Sequence, residues 1–500
     1  MQLLFNGLNL IQEMGYTLSI PILLTLLCFC FRVGLERSVR TGVSAGFTIA
    51  GLIYIMNRFT ILLEGLGSQI VGNGASGPIT DAGWRVTSVI SRGSPVFQWI
   101  LPISLGVNLL MLLTRSTRTI NLDWWSLWTS AFFGVLAAGI TGKLYWGMLA
   151  AASACILSLV FADCIGEGLE EEGAAAGITT ANAFMTSSGP VSALFCWLID
   201  LIPGLKHLRL TFSGLQRRLG IFADPSFLGG ILAALYSYIS GSQPLASVKA
   251  GCQIGAMIYV AGLLLGLLSL TLEPLTDRMA ELSEALNLRG RIMLGLNGTA
   301  AAASQTVLFL SVAMLPLVPA LSRLLPGCRF LPLEDFGMLP YLLLASVLIA
   351  KGDLFRSVLS GILSLIVSLY AASFFSPLLT ILAQQASPER YGQIAELSCL
   401  FGGGSFFTAL YAAFAAFGPA GLGLLFLVCL AASIWNFNRL NGHVKIYAGR
   451  KTVYRMAAVE RLKREKDEKA ALSRSAVTKK RAAFQEAVLA DRAAQEDDSN

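Results

Sequence analysis

Long apolar runs, cut at intervals by short clusters of charge, set the pattern of this chain. Residues 93–114, 124–142, 225–248, 250–272, 292–322, 357–388 and 397–438 contain no Asp, Glu, Lys or Arg. A helix of about 20 apolar residues spans a bilayer, so the longer runs hold more than one segment. Between Met14 and Trp435 the pattern predicts an all-α polytopic membrane protein with eleven or twelve transmembrane helices. The first apolar run, about 17–31, is preceded by Glu13 and by no basic residue. It lacks the positive flank of a secretion signal and is expected to be kept as a span.

Composition agrees with the pattern. The chain has 500 residues, of which 55% are hydrophobic and 13% charged, where a soluble domain carries about a quarter charged residues. The nine cysteines are odd in number, form no CxxC and lie mostly in apolar runs. They read as small core residues, with no disulfide framework and no metal site. The two histidines, His207 and His443, both fall in basic segments. No histidine-based catalytic device, cofactor site or nucleic-acid partner is expected.

Charge then orients the segments. Arg32, Arg37 and Arg40 follow the first span, and Arg115 and Arg118 follow the third. Basic residues gather on the cytoplasmic side, so the N-terminus is expected outside and these loops inside. Lys206, Arg209, Arg217 and Arg218 form a further basic loop, and Lys351 and Arg356 flank a short connection. After Phe437 come fifteen basic and nine acidic residues, which account for most of the net charge of +7. The division expected is a membrane domain over 1–436 and a basic, helical cytoplasmic tail over 437–500.

Within the stretch Asn108–Trp128, Asp123 is placed to cap the next helix, and Trp124, Trp125 and Trp128 suit the headgroup level of a membrane. Three uncharged segments are unusual for membrane depth: GAAAGITTANAFMTSSGP (173–190), GLNGTAAAASQT (295–306) and GGGS (402–405). Such sequences suit re-entrant hairpins or broken helices, which bind substrate in transporters; close packing through small residues is the plainer alternative. The carboxylates Glu167, Glu170, Glu171 and Glu172 read as a solvated loop. Asp224, just before Pro225, reads equally as a helix start or as a buried acceptor for hydroxyls. The passages LLMLLTRSTRTINLDWWS and LLLASVLIAKGDLFRSVLSG share one plan, a faint internal repeat.

The stretches TDAGW (80–84), NLLMLLTRSTRTINLDWWSLW (108–128), IPGLKHLRLTFSGLQRRLG (202–220) and KGDLFRSVLSGI (351–362) carry a resemblance. The sequence resembles the membrane subunit, enzyme IIC, of galactitol-type phosphotransferase systems. The resemblance implies a homodimeric permease with one sugar site and two re-entrant hairpins in the bacterial plasma membrane. A separate IIB protein, charged by IIA, would phosphorylate the sugar, and this chain would carry no phosphorylated residue. The chain departs from the family at three places. Ala181-Asn182-Ala183-Phe184 stands where members show Pro-His-Gly-Thr. Ala303-Ser304-Gln305 replaces Gly-His-Thr, and Ala223-Asp224-Pro225 replaces Gly-Glu-Pro.

A polyol site needs neutral donors and acceptors. Thr179, Thr180, Asn182, Asp224, Asn297, Ser304 and Gln305, with Gly403 and Ser405 of the GGGS segment, are the candidates for a neutral sugar or polyol. Arg115, Arg118, Arg217, Arg218, Lys351 and Arg356 are the candidates for docking IIB on a basic inner rim. Two alternatives are a transporter of the same fold uncoupled from phosphorylation and a non-transporting membrane scaffold that acts through its tail.

Overall fold

The computed structural model describes residues 18–70, 78–171, 177–205, 208, 210–286, 288, 291–296 and 304–442. Asn297, Lys206, Arg209 and the expected tail helix lie outside these residues. Met1–Asn441 forms one compact unit. The first helices are α1 (Leu18–Cys30), α2 (Leu35–Ile70), α3 (Arg85–Arg92), α4 (Pro95–Leu113), α5 (Trp124–Thr141) and α6 (Leu144–Glu171). Next come α7 (Ala183–Ser187), α8 (Gly189–Leu201), α9 (Phe212–Leu219), α10 (Pro225–Ile239), α11 (Pro244–Ala285), α12 (Gln305–Met314) and α13 (Leu317–Leu324). The last are α14 (Leu339–Ile349), α15 (Leu354–Ala386), α16 (Pro388–Tyr391), α17 (Phe406–Ala416) and α18 (Gly418–Leu440). The last helix thus runs past Asn436, where the membrane domain was expected to end.

Seven helices among the described residues are long and apolar enough to cross a membrane, or nine if each bent pair is one span. The bends are 46° between the α9 segment and α10, and 47° between α12 and α13. The expected eleven or twelve apolar segments are reached only by adding Leu18–Cys30, Asp335–Ile349 and Phe406–Ala416. Those helices are too short to cross alone at 1.5 Å per residue. Hydropathy does not separate them from full spans. Large apolar side chains such as Leu109, Leu113, Leu263 and Phe374 face outward, as lipid contact requires.

Helix contacts rely on small residues, because lipid tails compete equally for apolar surface. A Cβ on Gly134 would stand 2.6 Å from the Gly147 carbonyl oxygen, and one on Gly147 would stand 2.7 Å from that of Gly134. The α5 and α6 backbones therefore touch. Gly230 and Gly251 do the same for α10 and α11.

Helix ends are specified locally. Ser94, Asp123, Asn182, Thr211, Asp224, Ser304 and Asp353 each accept an N–H from the turn they cap. The cap expected at Asp123 is thus present, with Oδ1 2.8 Å from the Trp125 nitrogen. Three basic residues, Arg32, Arg115 and Lys351, follow helix ends with positive φ. In each, the next N–H returns to a carbonyl five residues back: Val33 to Cys28, Ser116 to Met111 and Gly352 to Val347. Left-handed backbone costs about 1–2 kcal/mol without glycine, and a cation at a helix C-terminus returns about 0.3–1 kcal/mol of it. Arg115 with Asp123, and Lys351 with Asp353, give the repeated passages one shared geometry.

Among the described residues, five strand fragments break the helical pattern. β1 (Thr80–Asp81) pairs in parallel with β5 (Leu397–Ser398). β2 (Thr119–Asn121), β4 (Met293–Gly295) and β3 (Ile178–Thr179) form a parallel sheet in that order. Ile120, Leu294 and Ile178 share one register position. The chains leading into Asp123, Asn182 and the 297–303 segment therefore advance side by side.

Contacts fix the path after α6. Ser188, just before α8, and Ser192 within it bond Leu342 and Ser346 of α14, so these helices run in parallel. Gly189 lies by Phe161, and Gly168 by Leu348, so α6 runs the same way. Between them, Thr179 returns to Ala162 of α6 at 2.8 Å. The chain leaves α6, doubles back along it through β3, and descends again through α7 and α8. Over the described residues 177–201 this path is that of a chain re-entering beside α6; residues 173–176 of the expected hairpin lie outside them.

A buried polar knot holds the end of α18. Asp163 accepts from the Arg118 N–H at 3.1 Å, the Thr119 hydroxyl at 2.8 Å and Asn436 Nδ2 at 2.7 Å. Arg118 Nη2 donates to the Leu440 carbonyl at 2.5 Å.

The glycines of 402–404 are required for space. A Cβ on Gly404 would meet backbone oxygens of Leu400 at 2.5 Å and Ser368 at 2.8 Å. Gly404→Ala should destabilise the purified protein by about 1–3 kcal/mol, read as a lower thermal midpoint. Gly423→Ala, which meets nothing within 4 Å, should leave the midpoint level or raise it.

Candidate functional site

Non-helical backbone inside a membrane protein must have its N–H groups satisfied internally. Two carboxylates, the half-buried Asp81 and the buried Asp335, do this where β1 meets the chain before α14. Asp81 Oδ2 accepts from the N–H groups of Leu333 at 2.6 Å and Glu334 at 2.7 Å, while its Oδ1 accepts from Gly83 at 3.0 Å. Asp335 answers from the other side. Its Oδ1 accepts from the Trp84 N–H at 2.6 Å, and its Oδ2 from those of Leu400 at 2.7 Å and Phe401 at 3.2 Å. The pair ties three chain segments together and holds the loop from Cys399 to Ser405 through the interior.

That loop forms one wall of a small cavity. Phe184 and Ser187 of α7 line the opposite wall, with Met338, Leu342, Leu400, Phe401 and Ser405 completing it. Its volume is about 10 Å³, room for about one water. A sugar enters only if the walls part. A larger cavity of about 50 Å³ lies among α2, α11 and α12. Its one hydroxyl, Ser311, already donates to the Val307 carbonyl, so it offers little to a polar ligand.

Polar atoms on the segments that wall the smaller cavity are left over, one on the lining Ser405 and one on Asn182, two residues before the lining Phe184. Asn182 caps α7 with Oδ1, 3.0 Å from the Phe184 nitrogen and 3.3 Å from that of Met185. Its Nδ2 is buried without an acceptor. Ser405 occupies the cap position of α17 but makes no cap bond, and its buried Oγ has no partner. Other serines before helices, such as Ser94 and Ser304, use their hydroxyls as caps. Buried polar groups are nearly always paired, so such exceptions call for a cause.

Aromatic rings surround these groups. Phe184 touches Phe401 at 4.7 Å between centroids, and Trp128 at 5.8 Å. Trp125 contacts Tyr341 at 5.5 Å and Trp84 at 5.3 Å. The headgroup placement expected for the tryptophans is therefore corrected: Trp128 is 4% exposed, and Trp125 packs on interior rings. The reason is β2, which carries the chain into the bundle before α5 begins.

Residues 13–389 match the family of PTS system sugar-specific permease components. The chain belongs to that family. It is a multi-pass membrane protein, of the enzyme IIC type that the sequence stretches resemble. An Escherichia coli K12 protein whose name proposes a permease IIC component is 25% identical over 397 residues, 79% of this chain and 91% of the relative. A protein of the same strain named as the galactitol-specific EIIC component of a PTS system is 23% identical, covering 76% of this chain and 85% of the relative.

In this permease the expected site residues separate into groups. Asn182, Ser405, Gly403 and Thr180 lie in or beside the cavity segments. Thr180 Oγ1 accepts from the Asn182 N–H at 3.3 Å. Gly403 provides space, since a Cβ there would lie 2.6 Å from Ser398 Oγ. Thr179 is spent on α6 through Ala162. Asp224 accepts from the N–H groups of Ser226 and Phe227 and serves as a helix start, beside Ala223, which packs with Phe309 and Leu354.

Ser304 caps α12 through the Val307 N–H at 3.2 Å, and Gln305 is exposed. Ten residues after Ser304, Met314 lies level with Leu343 and Gly361. Asn182 lies six residues before Ser188, which is level with Leu342, and on the other side of that level. Ser304 and Asn182 are thus roughly 20 Å apart along the helix axes at 1.5 Å per residue. The structure brings the entry strands of the two segments together, but not these two side chains.

The basic residues divide as well. Arg115, Arg217, Arg218 and Lys351 are exposed. Arg118 is buried at 9% exposure and bonded to Leu440, so it is corrected from rim to core. Arg356 bridges Asp200 at 2.6 Å and Asp353 at 3.1 Å, and so links α8 to α15. The sequence reading missed Trp84, Phe184, Phe401 and Asp335, which shape the cavity. The DAG and EDFG contexts of the two aspartates were the available signal.

Asp335→Asn keeps the shape but places an NH2 where a carboxylate oxygen accepts backbone N–H groups. The variant should be less stable by about 1–3 kcal/mol. Hydrogen exchange at Leu400 and Phe401 should rise well above that of the helices, whose protection should hold.

Proposed function

We propose that this protein is the enzyme IIC subunit that binds a neutral sugar or polyol and moves it inward for phosphorylation by a separate IIB protein. The observation that carries the reading is a pair of unused, buried polar groups on the segments that wall one closed cavity: Ser405 Oγ, on a lining residue, and Asn182 Nδ2, two residues before the lining Phe184. Asn182 occupies the place of the family's first-hairpin histidine and supplies a donor without charge. No Lys, Arg or His lines the cavity, which favours a neutral ligand over an anion. Galactitol, for which one relative is named, belongs to the ligand class proposed.

Loss of a donor to a ligand hydroxyl costs about 1–3 kcal/mol, and 1.4 kcal/mol is tenfold in affinity. Asn182→Ala and Ser405→Ala should each weaken calorimetric binding of the best ligand in a sugar and polyol panel by about tenfold. Unliganded thermal stability should hold in Ser405→Ala, whose hydroxyl bonds nothing, and fall in Asn182→Ala, which also loses the α7 cap at about 0.5–2 kcal/mol. Equal affinities in wild type and both variants would remove the cavity from the binding site.

The proposed setting is a homodimer in the bacterial plasma membrane, with the N-terminus outside and the tail inside. The exposed cations Arg115, Arg217, Arg218 and Lys351 would then form the inner docking face for IIB. Arg115 lies near the end of α18, where Asn441 bonds its carbonyl. The chain next to α9 bridges to Asp353, two residues after Lys351. Fixed positive charge steers an acidic partner and raises its on-rate. Arg115→Glu with Lys351→Glu should slow phosphorylation-coupled uptake most at low ionic strength, where screening is weakest. Unchanged uptake at normal expression would leave these residues as membrane anchors.

A further inference from the structure

Behind the cavity walls three indoles stand in mutual contact. Ring centroids are 5.3 Å apart for Trp84 and Trp125, 6.0 Å for Trp84 and Trp128, and 6.1 Å for Trp125 and Trp128. Trp84 is within 32° of parallel to Trp125 and within 27° of parallel to Trp128. Phe184 and Phe401 separate this group from the cavity, with Phe184 on Trp128 and Phe401 on Trp125 at 6.5 Å. The two phenyl rings also meet each other edge to face. One sits on the chain that re-enters beside α6 and the other on the loop held by Asp335. A relative movement of those two segments would part them and uncover the indoles.

A buried indole N–H usually finds an acceptor. The Trp84 Nε1 is shut from solvent and has none. Its backbone N–H is meanwhile bonded to Asp335, so the residue is held in place with its side-chain donor unspent. Asn182 Nδ2 is a second unspent donor, on the residue that directly precedes α7, whose Phe184 packs on Trp128.

Resting on the cavity as the substrate site, we propose that Trp84, Trp125 and Trp128 form its stacking face. Phe184 and Phe401 cover that face in the closed state, and Trp84 Nε1 donates to a ligand hydroxyl. The ligand class this face selects is a sugar in its ring form. A chair-shaped ring can turn a side of C–H bonds to a flat aromatic surface. An extended hexitol carries hydroxyls on both sides of its chain and offers no such face.

The test uses the full chain, purified and reconstituted in lipid nanodiscs, with galactose, glucose, galactitol and sorbitol as probes. Binding is followed by calorimetry and by tryptophan fluorescence. The wild type should bind at least one ring sugar more tightly than either hexitol and change its indole emission on binding. Trp84→Phe keeps the ring and deletes the N–H; it should weaken that binding by about tenfold and leave the unliganded thermal midpoint in place. Trp125→Leu should weaken it as much and reduce the emission change, and Trp125→Phe should recover part of the loss.

Wild-type affinity in Trp84→Phe and Trp125→Leu, with binding lost in Asn182→Ala and Ser405→Ala, would overturn the stacking face and leave the cavity standing. Hexitols binding more tightly than ring sugars would overturn the ring-form ligand. Wild-type affinity in all four variants, or no binding of any probe to the wild type, would overturn the stacking face and the cavity together.

Discussion

The whole interior depends on satisfying peptide N–H groups where helices stop inside the bundle. Each unsatisfied group in a bilayer costs several kcal/mol. Among the described residues, the protein interrupts its helices at five strand fragments and at the 399–405 loop. It meets that cost by pairing the fragments with one another and by aiming carboxylates at what is left over. Asp81 and Asp335 together accept six backbone N–H groups. With those groups settled, the chain can pass through the interior without a helix. The cavity exists because of this arrangement.

The same accounting marks where a ligand would act. Thr179 and Ser304 each spend one hydrogen bond on the fold, and Asp224 spends two. Asn182 divides its amide, with the oxygen serving the helix and the nitrogen left free. Ser405 withholds its hydroxyl altogether. Trp84 likewise leaves its Nε1 unused.

Much of this was legible in the sequence, for definite reasons. Uncharged runs reveal membrane helices because charge is so costly in lipid, and Asp123 announced a helix start because capping is a local event. Asn182 became a candidate through a segment too polar for its depth. The re-entry beside α6 was legible for the same reason. Arg118 and the tryptophans were misplaced because charge and aromaticity next to an apolar run usually mean a membrane surface. Whether the chain turns outward or inward there depends on β2, whose partners lie more than 150 residues away in sequence. Ser304 was aligned with Asn182 by family position, but the level of each side chain is set by helix contacts that no local pattern reveals.

The knot at Asp163 bears on the order in which the protein can be completed. Its carboxylate sits well inside α6, yet one of its partners, Asn436, is 273 residues further along the chain. At about 5–20 residues per second of synthesis, α6 waits some tens of seconds before the ribosome delivers that partner. During that interval a carboxylate inside the bundle lacks its full set of donors. The last helix therefore closes a structure already in the membrane, and a nascent chain that has not yet reached Asn436 is chemically unfinished at its core.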